Sequence, residues 1–131
     1  MSPEPSRRLE PVPLRLTTYM TADGEVRLAV AGEIDIATAA RLRERLSELA
    51  AAGRPLVTDL DQVRFIDSAG LAALVGAANR AAAHGGSLHV VCARPRIRQL
   101  FRLTGLDRRL APARTVGEAL DAVTTAWRTP G

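Results

Sequence analysis

The segment Val63-Arg64-Phe65-Ile66-Asp67-Ser68-Ala69-Gly70-Leu71 holds the residue types best suited to chemistry: apolar residues lead into a carboxylate, a hydroxyl and a glycine. The stretch that follows is rich in Ala and Leu, so the hydroxyl stands where a helix begins. A serine in that place reads as an N-cap, its oxygen accepting a backbone N–H bond worth roughly 1 kcal/mol. The small residues Ala69 and Gly70 let another molecule approach the same turn closely. A second polar cluster, Gly32-Glu33-Ile34-Asp35, precedes another helical pattern, for which Asp35 or Thr38 is a candidate cap.

Catalytic chemistry is poorly served elsewhere. Asp59, Asp61 and Asp67 form a candidate acidic metal cluster, and Ser68 a candidate hydrolytic nucleophile, but a strand and its following loop often carry scattered carboxylates. Ser68 has no evident base. His84 lies sixteen residues further on, about 24 Å along a helix, and His89 lies beyond that. Both histidines read as ordinary turn and strand positions. All 18 basic residues are arginine, and the missing lysine disfavours a phosphate-binding P-loop, a Schiff-base enzyme and a receiver-type phosphoacceptor. The chain is therefore read as a non-enzyme with no catalytic residue, no metal ligand and no cofactor.

The net charge of +4 is spread along the chain. Arg94, Arg96, Arg98 and Arg102, with Arg108 and Arg109 beyond, lack the interleaved aromatics of a base-stacking surface, so they read as a solvated face or a contact for an acidic partner. No direct nucleic-acid binding is expected. Cys92 is the single cysteine and lies in an apolar run, as a buried structural thiol would. With no signal peptide and no apolar run of about 20 residues, a cytoplasmic protein without membrane contact is expected.

Elements of an α/β domain must position these residues. Residues 1–13 hold four prolines and read as a flexible leader, 14–127 as one domain, and 128–131 as a tail. Leu14, Leu16, Thr18 and Met20 alternate, as do Val26, Leu28 and Val30, with Asp23-Gly24 as the hairpin turn between two strands. Leu42, Leu46 and Leu49 then recur at helical spacing, and Gly53-Arg54-Pro55 ends that helix. Leu56–Leu60 predicts a short central strand, 68–83 a helix and Leu88–Cys92 a parallel strand, which puts Ser68 beyond the carboxyl end of the central strand. Pro95 opens a third helix, a brief strand is expected around Leu110, and Thr115 with Glu118 opens a last helix lined by Val116, Leu120, Val123 and Trp127.

From Leu14 to about Trp127 the sequence resembles the STAS domains of bacterial anti-sigma factor antagonists. In that family an aspartate-serine dipeptide, usually followed by a small residue and Gly-Leu, starts a helix after the central strand. Asp67-Ser68-Ala69-Gly70-Leu71 matches it position by position, and Gly32-Glu33-Ile34-Asp35 reproduces the family's Gly-Glu-hydrophobic-Asp marker. The resemblance implies a STAS fold, a mixed four- to five-stranded sheet with about four α-helices. It also implies phosphorylation of Ser68 by an anti-sigma factor with serine kinase activity, and removal of the phosphate by a PP2C-type phosphatase. The unphosphorylated form would bind the anti-sigma factor through Asp35, Asp67, Ser68, Ala69 and Gly70, freeing a sigma factor. Ala69 replaces a second serine or threonine common in the family, which leaves Ser68 the only hydroxyl in the motif. Asp35 stays open between partner recognition and capping. The same fold also serves as a scaffold subunit in stressosome-like or lipid-transport assemblies, the alternative function, and a weak homodimer is compatible with either.

Overall fold

The computed structural model describes residues 12–128. Of the expected leader only Val12 and Pro13, and of the expected tail only Arg128, fall within it; the side chain of Trp127 lies outside the described residues.

Strand β1 (Arg15–Met20) pairs antiparallel with β2 (Val26–Ile34), and the Asp23-Gly24 turn joins them as the sequence predicts. Along β2, Val26, Leu28, Val30 and Ile34 are buried at every second position, the pattern of a strand with one face in the core. Helix α1 (Ile36–Ala50) buries the stripe Ala39, Leu42, Leu46 and Ala50. Strand β3 (Pro55–Ile66) lies parallel to β2. Helix α2 (Ser68–Ala83) and strand β4 (Ser87–Val91) complete the expected strand–helix–strand unit, with β4 parallel to β3. The sheet order is β1-β2-β3-β4.

β3 is much longer than the expected Leu56–Leu60. Its second half alternates unevenly, with Val63 and Ile66 buried and Gln62, Arg64 and Phe65 exposed, because β4 pairs only with Pro55–Asp59. A half-strand with one neighbour carries polar residues that hide it in the sequence. The first half is buried over Pro55–Thr58 because β2 and β4 flank it on both sides, and only Thr58 and Asp59 interrupt its apolar run.

Helix α3 (Pro95–Leu103) starts with Pro95 in its first turn, where a missing N–H costs nothing. Leu110 belongs to a short helix, α4 (Leu106–Leu110), and not to the expected strand. The extended pairing falls three residues later: Ala113 accepts from Cys92 N–H and donates to the Val90 carbonyl, both at 2.8 Å. The helical turn at 106–110 is what carries Leu110 into the core. Helix α5 (Val116–Arg128) closes the chain, and its start is held by the Thr115 hydroxyl accepting from Glu118 N–H.

The main core joins α1, α2 and α3 to one face of the sheet, with Phe101 fully buried. Val57 and Val91 point to the opposite face and pack against Ala119 and Val123 of α5. Consecutive residues of β3 therefore serve two layers. No described helix is long and apolar enough to cross a membrane.

Candidate functional site

Ile34 and Ile66 are partners at the ends of β2 and β3, and each is followed by an aspartate that starts a helix. At the first turn, Asp35 Oδ1 accepts from Thr38 N–H at 3.0 Å and the Thr38 hydroxyl oxygen accepts from Asp35 N–H at 2.9 Å, a reciprocal capping box. The Thr38 hydroxyl in turn donates to the Glu33 carbonyl. The choice left open in the sequence is thus resolved: Asp35 is the N-cap and Thr38 its reciprocal partner.

At the second turn the cap is Asp67, not Ser68 as the sequence suggested. Asp67 Oδ1 accepts from Ala69 N–H at 3.0 Å and from Gly70 N–H at 3.3 Å. The reason lies in the sheet: Asp67 N–H donates to the Ile34 carbonyl at 3.1 Å, which holds Asp67 in an extended conformation. The helix then begins one residue later. Ser68 occupies the first helical position with an exposed side chain, and among the described residues no hydrogen bond holds its hydroxyl.

Gly70 is buried, and the reason for its small size is internal. A Cβ there would stand 2.6 Å from both Ile34 Cγ2 and Ile66 Cγ1, so the glycine seats α2 directly on the two strand ends instead of opening the turn to an approaching molecule. Gly32 has φ +104 and passes directly beneath the Pro13 carbonyl, with which any side chain would collide. Ala69 is half-buried against the core. The Gly-Glu-Ile-Asp and Asp-Ser-Ala-Gly segments therefore meet at one edge of the sheet.

The acidic metal cluster does not assemble. Asp59 Oδ1 accepts from Asp61 N–H, its other oxygen lies 4.0 Å from Arg27, and Asp61 Oδ1 accepts from Ala93 N–H. Among the described residues no three His, Cys, Asp or Glu side chains are placed to hold a metal ion. His84 ends α2 at the far end from Ser68, and His89 Nε2 lies 2.9 Å from the Ser87 hydroxyl. Burial pushes the His89 pKa down and the Cys92 thiol up. Cys92 is buried as expected. Arg98, read as a contact for an acidic partner, instead donates to the Cys92 and Pro112 carbonyls at 2.9 and 3.0 Å and ties α3 to the segment beyond α4. Arg102 remains exposed.

Two exposed apolar residues beside the capping aspartates in the chain were given no site role from the sequence. Ile36, the first residue of α1, is 82% exposed, and Phe65, two residues before Asp67, is 49% exposed. Ile36 precedes Ala39 by three residues, so helical spacing alone extends the buried stripe to it and carries no signal of its exposure. Phe65 lies in the part of β3 that was not recognised as strand. Among the described residues the edge thus presents two aspartates that each commit one carboxylate oxygen to capping, an exposed hydroxyl and two apolar side chains, the make-up of a binding surface.

A family model of the STAS domain matches residues 19–119. Over 84 residues the chain is 38% identical to an anti-sigma-B factor antagonist of Bacillus subtilis (strain 168), covering 64% of this chain and 77% of that one. The chain belongs to the STAS-domain anti-sigma factor antagonists. An anti-sigma-B factor antagonist of Staphylococcus aureus (strain NCTC 8325 / PS 47) is 32% identical to this STAS domain over 87 residues, covering 66% of this chain and 81% of that one. The crystal structure of an anti-sigma factor antagonist from Mycobacterium paratuberculosis superposes with a TM-score of 0.77 at 32% identity, covering 86% of this chain and 95% of that one. Both capped turns of the STAS domain lie inside the matched region.

Proposed function

We propose that this STAS domain is a cytoplasmic, non-enzymatic anti-sigma factor antagonist. It binds an anti-sigma factor with serine kinase activity when Ser68 carries no phosphate, and so frees a sigma factor. Phosphorylation of Ser68 switches binding off, and a PP2C-type phosphatase restores it. Similarity to anti-sigma-B factor antagonists supports the antagonist role. The observation that carries the switch is the division of labour between Asp67 and Ser68: the carboxylate does the capping, so the exposed hydroxyl beside it can be modified without unravelling the helix start.

Asp35, Asp67, Ser68 and Ala69 form the contact surface in this reading, widened by Ile36 and Phe65, while Gly70 acts by seating α2. In each aspartate Oδ1 takes the cap bonds, and Oδ2 has no partner among the described residues. Those oxygens are free to accept from donors of the anti-sigma factor. A phosphate on Ser68 adds a charge of roughly −1.5 to −2 at pH 7. Asp67 already supplies a negative charge and uses two N–H groups of the helix start, so the dianion gains little from the helix dipole. Burying it under a partner without new arginine contacts costs several kcal/mol, and a loss of about 3 kcal/mol weakens binding roughly 100-fold.

The test is incubation of the chain with the purified anti-sigma factor kinase of the same genome and ATP. The γ-phosphoryl group passes to Ser68 Oγ, ADP leaves and the hydroxyl proton is released. Intact mass should show one added phosphate in the wild type and none in Ser68→Ala. Phosphate on another residue, or on none, would overturn the switch.

A further inference from the structure

The last ladder pair between β3 and β4 is Asp59 with Val91. Beyond it, Gln62, Val63, Phe65 and Ile66 are paired with β2, and the opposite edge of β3 has no strand beside it among the described residues. Asp61 closes the near end of this open edge: its carboxylate accepts from Ala93 N–H and its carbonyl from Arg94 Nε, both at 2.8 Å. Further along, β3 and α3 stand apart and leave a groove of about 230 Å³ lined by Arg64, Phe65, Ile66, Arg96, Ile97 and Leu100. Its floor is apolar, with Ile66 and Ile97 buried. Its two walls each carry an exposed arginine, Arg64 from β3 and Arg96 from α3, and no carboxylate lines it.

We propose that this groove receives a short extended segment of the anti-sigma factor, an apolar side chain flanked by carboxylates, laid along the open edge of β3. The inference rests on the antagonist reading above and names the chemistry of the docked element. An open strand edge offers backbone hydrogen bonds to an extended chain, while a pocket beside it selects the side chain. An exposed arginine on each wall of an apolar groove whose lining holds no carboxylate selects carboxylates at both flanks. Ile66 lines the groove and Ser68 follows two residues later, so their Cα atoms lie at most about 7 Å apart and the groove ends next to the phosphoacceptor's turn. Phosphate on Ser68 then repels the acidic segment directly, which links the switch to the groove.

The experiment compares wild type, the double variant Arg64→Glu/Arg96→Glu, and Phe65→Ser for affinity to the purified anti-sigma factor kinase, with urea denaturation confirming that each variant folds. All three positions are exposed. The double variant should bind about 30-fold more weakly or worse, and Phe65→Ser about 10-fold more weakly. Wild-type affinity in the double variant overturns the groove while leaving the antagonist reading standing. No binding by the wild type overturns the antagonist reading itself. Sedimentation of the chain alone must show the same mass for wild type and double variant; self-association lost on charge reversal would assign the groove to a second copy and overturn the proposal.

Discussion

The backbone N–H of Asp67 donates to the carbonyl oxygen of Ile34, and this one bond carries the β2–β3 ladder a residue past its last side-chain pair. It fixes where α2 starts, and therefore which of two adjacent capping residues caps. Asp67 takes the structural task, and the Ser68 side chain is left exposed at the first helical position.

The consequence for stability is a sharp contrast between neighbours. Asp67→Ala removes the acceptor for two helix N–H groups and should lower stability by about 1–2 kcal/mol. Ser68→Ala should change it by less than about 0.5 kcal/mol. Urea denaturation of the two variants beside wild type checks this; equal losses would return the cap to Ser68.

Much of the site was legible in the sequence, and the misses share a cause. The two motifs, the Asp23-Gly24 turn, the stripe of α1 and Pro95 at the start of α3 are local signals, and each lies where the sequence put it. The cap was misplaced because Asp67 and Ser68 have nearly equal capping propensity, and the deciding bond comes from Ile34 on another strand. The second half of β3 was missed because its exposed polar residues are set by which neighbour β4 fails to provide. Arg98 looked like a surface charge because its acceptors, the carbonyls of Cys92 and Pro112, meet it only after α3 and α4 have packed. Tertiary contacts decided each case.

Glycines inside α2 should respond in opposite directions. Gly70→Ala places a methyl group 2.6 Å from two isoleucine side chains, forcing the helix start away from the strands at a cost of about 1–3 kcal/mol. Gly76 lies exposed in the same helix with nothing within 4 Å of an added Cβ, so Gly76→Ala should raise stability by roughly 0.5–1 kcal/mol. Thermal and urea midpoints of the two variants read the difference directly.

His89 should make the fold sensitive to mild acid. Its pKa is held below the ordinary 6.5 by burial, so the unfolded chain takes up this proton before the folded one does. The stability linked to it is fully present above pH 6.5 and is lost as pH falls through that value toward the lower folded pKa. The urea midpoint should therefore drop between pH 7 and about pH 5.5 in wild type and drop less in His89→Gln. Parallel profiles would remove His89 from the account.

The central claim is that one phosphate on Ser68 controls partner binding without disturbing the fold. Its most direct test is the affinity of wild-type and phospho-Ser68 protein for the purified anti-sigma factor kinase, measured by calorimetry with bound nucleotide held the same. The account predicts tight binding by the unmodified STAS domain and binding roughly 100-fold weaker after phosphorylation, with unchanged far-UV circular dichroism. Equal affinities for the two forms would contradict it.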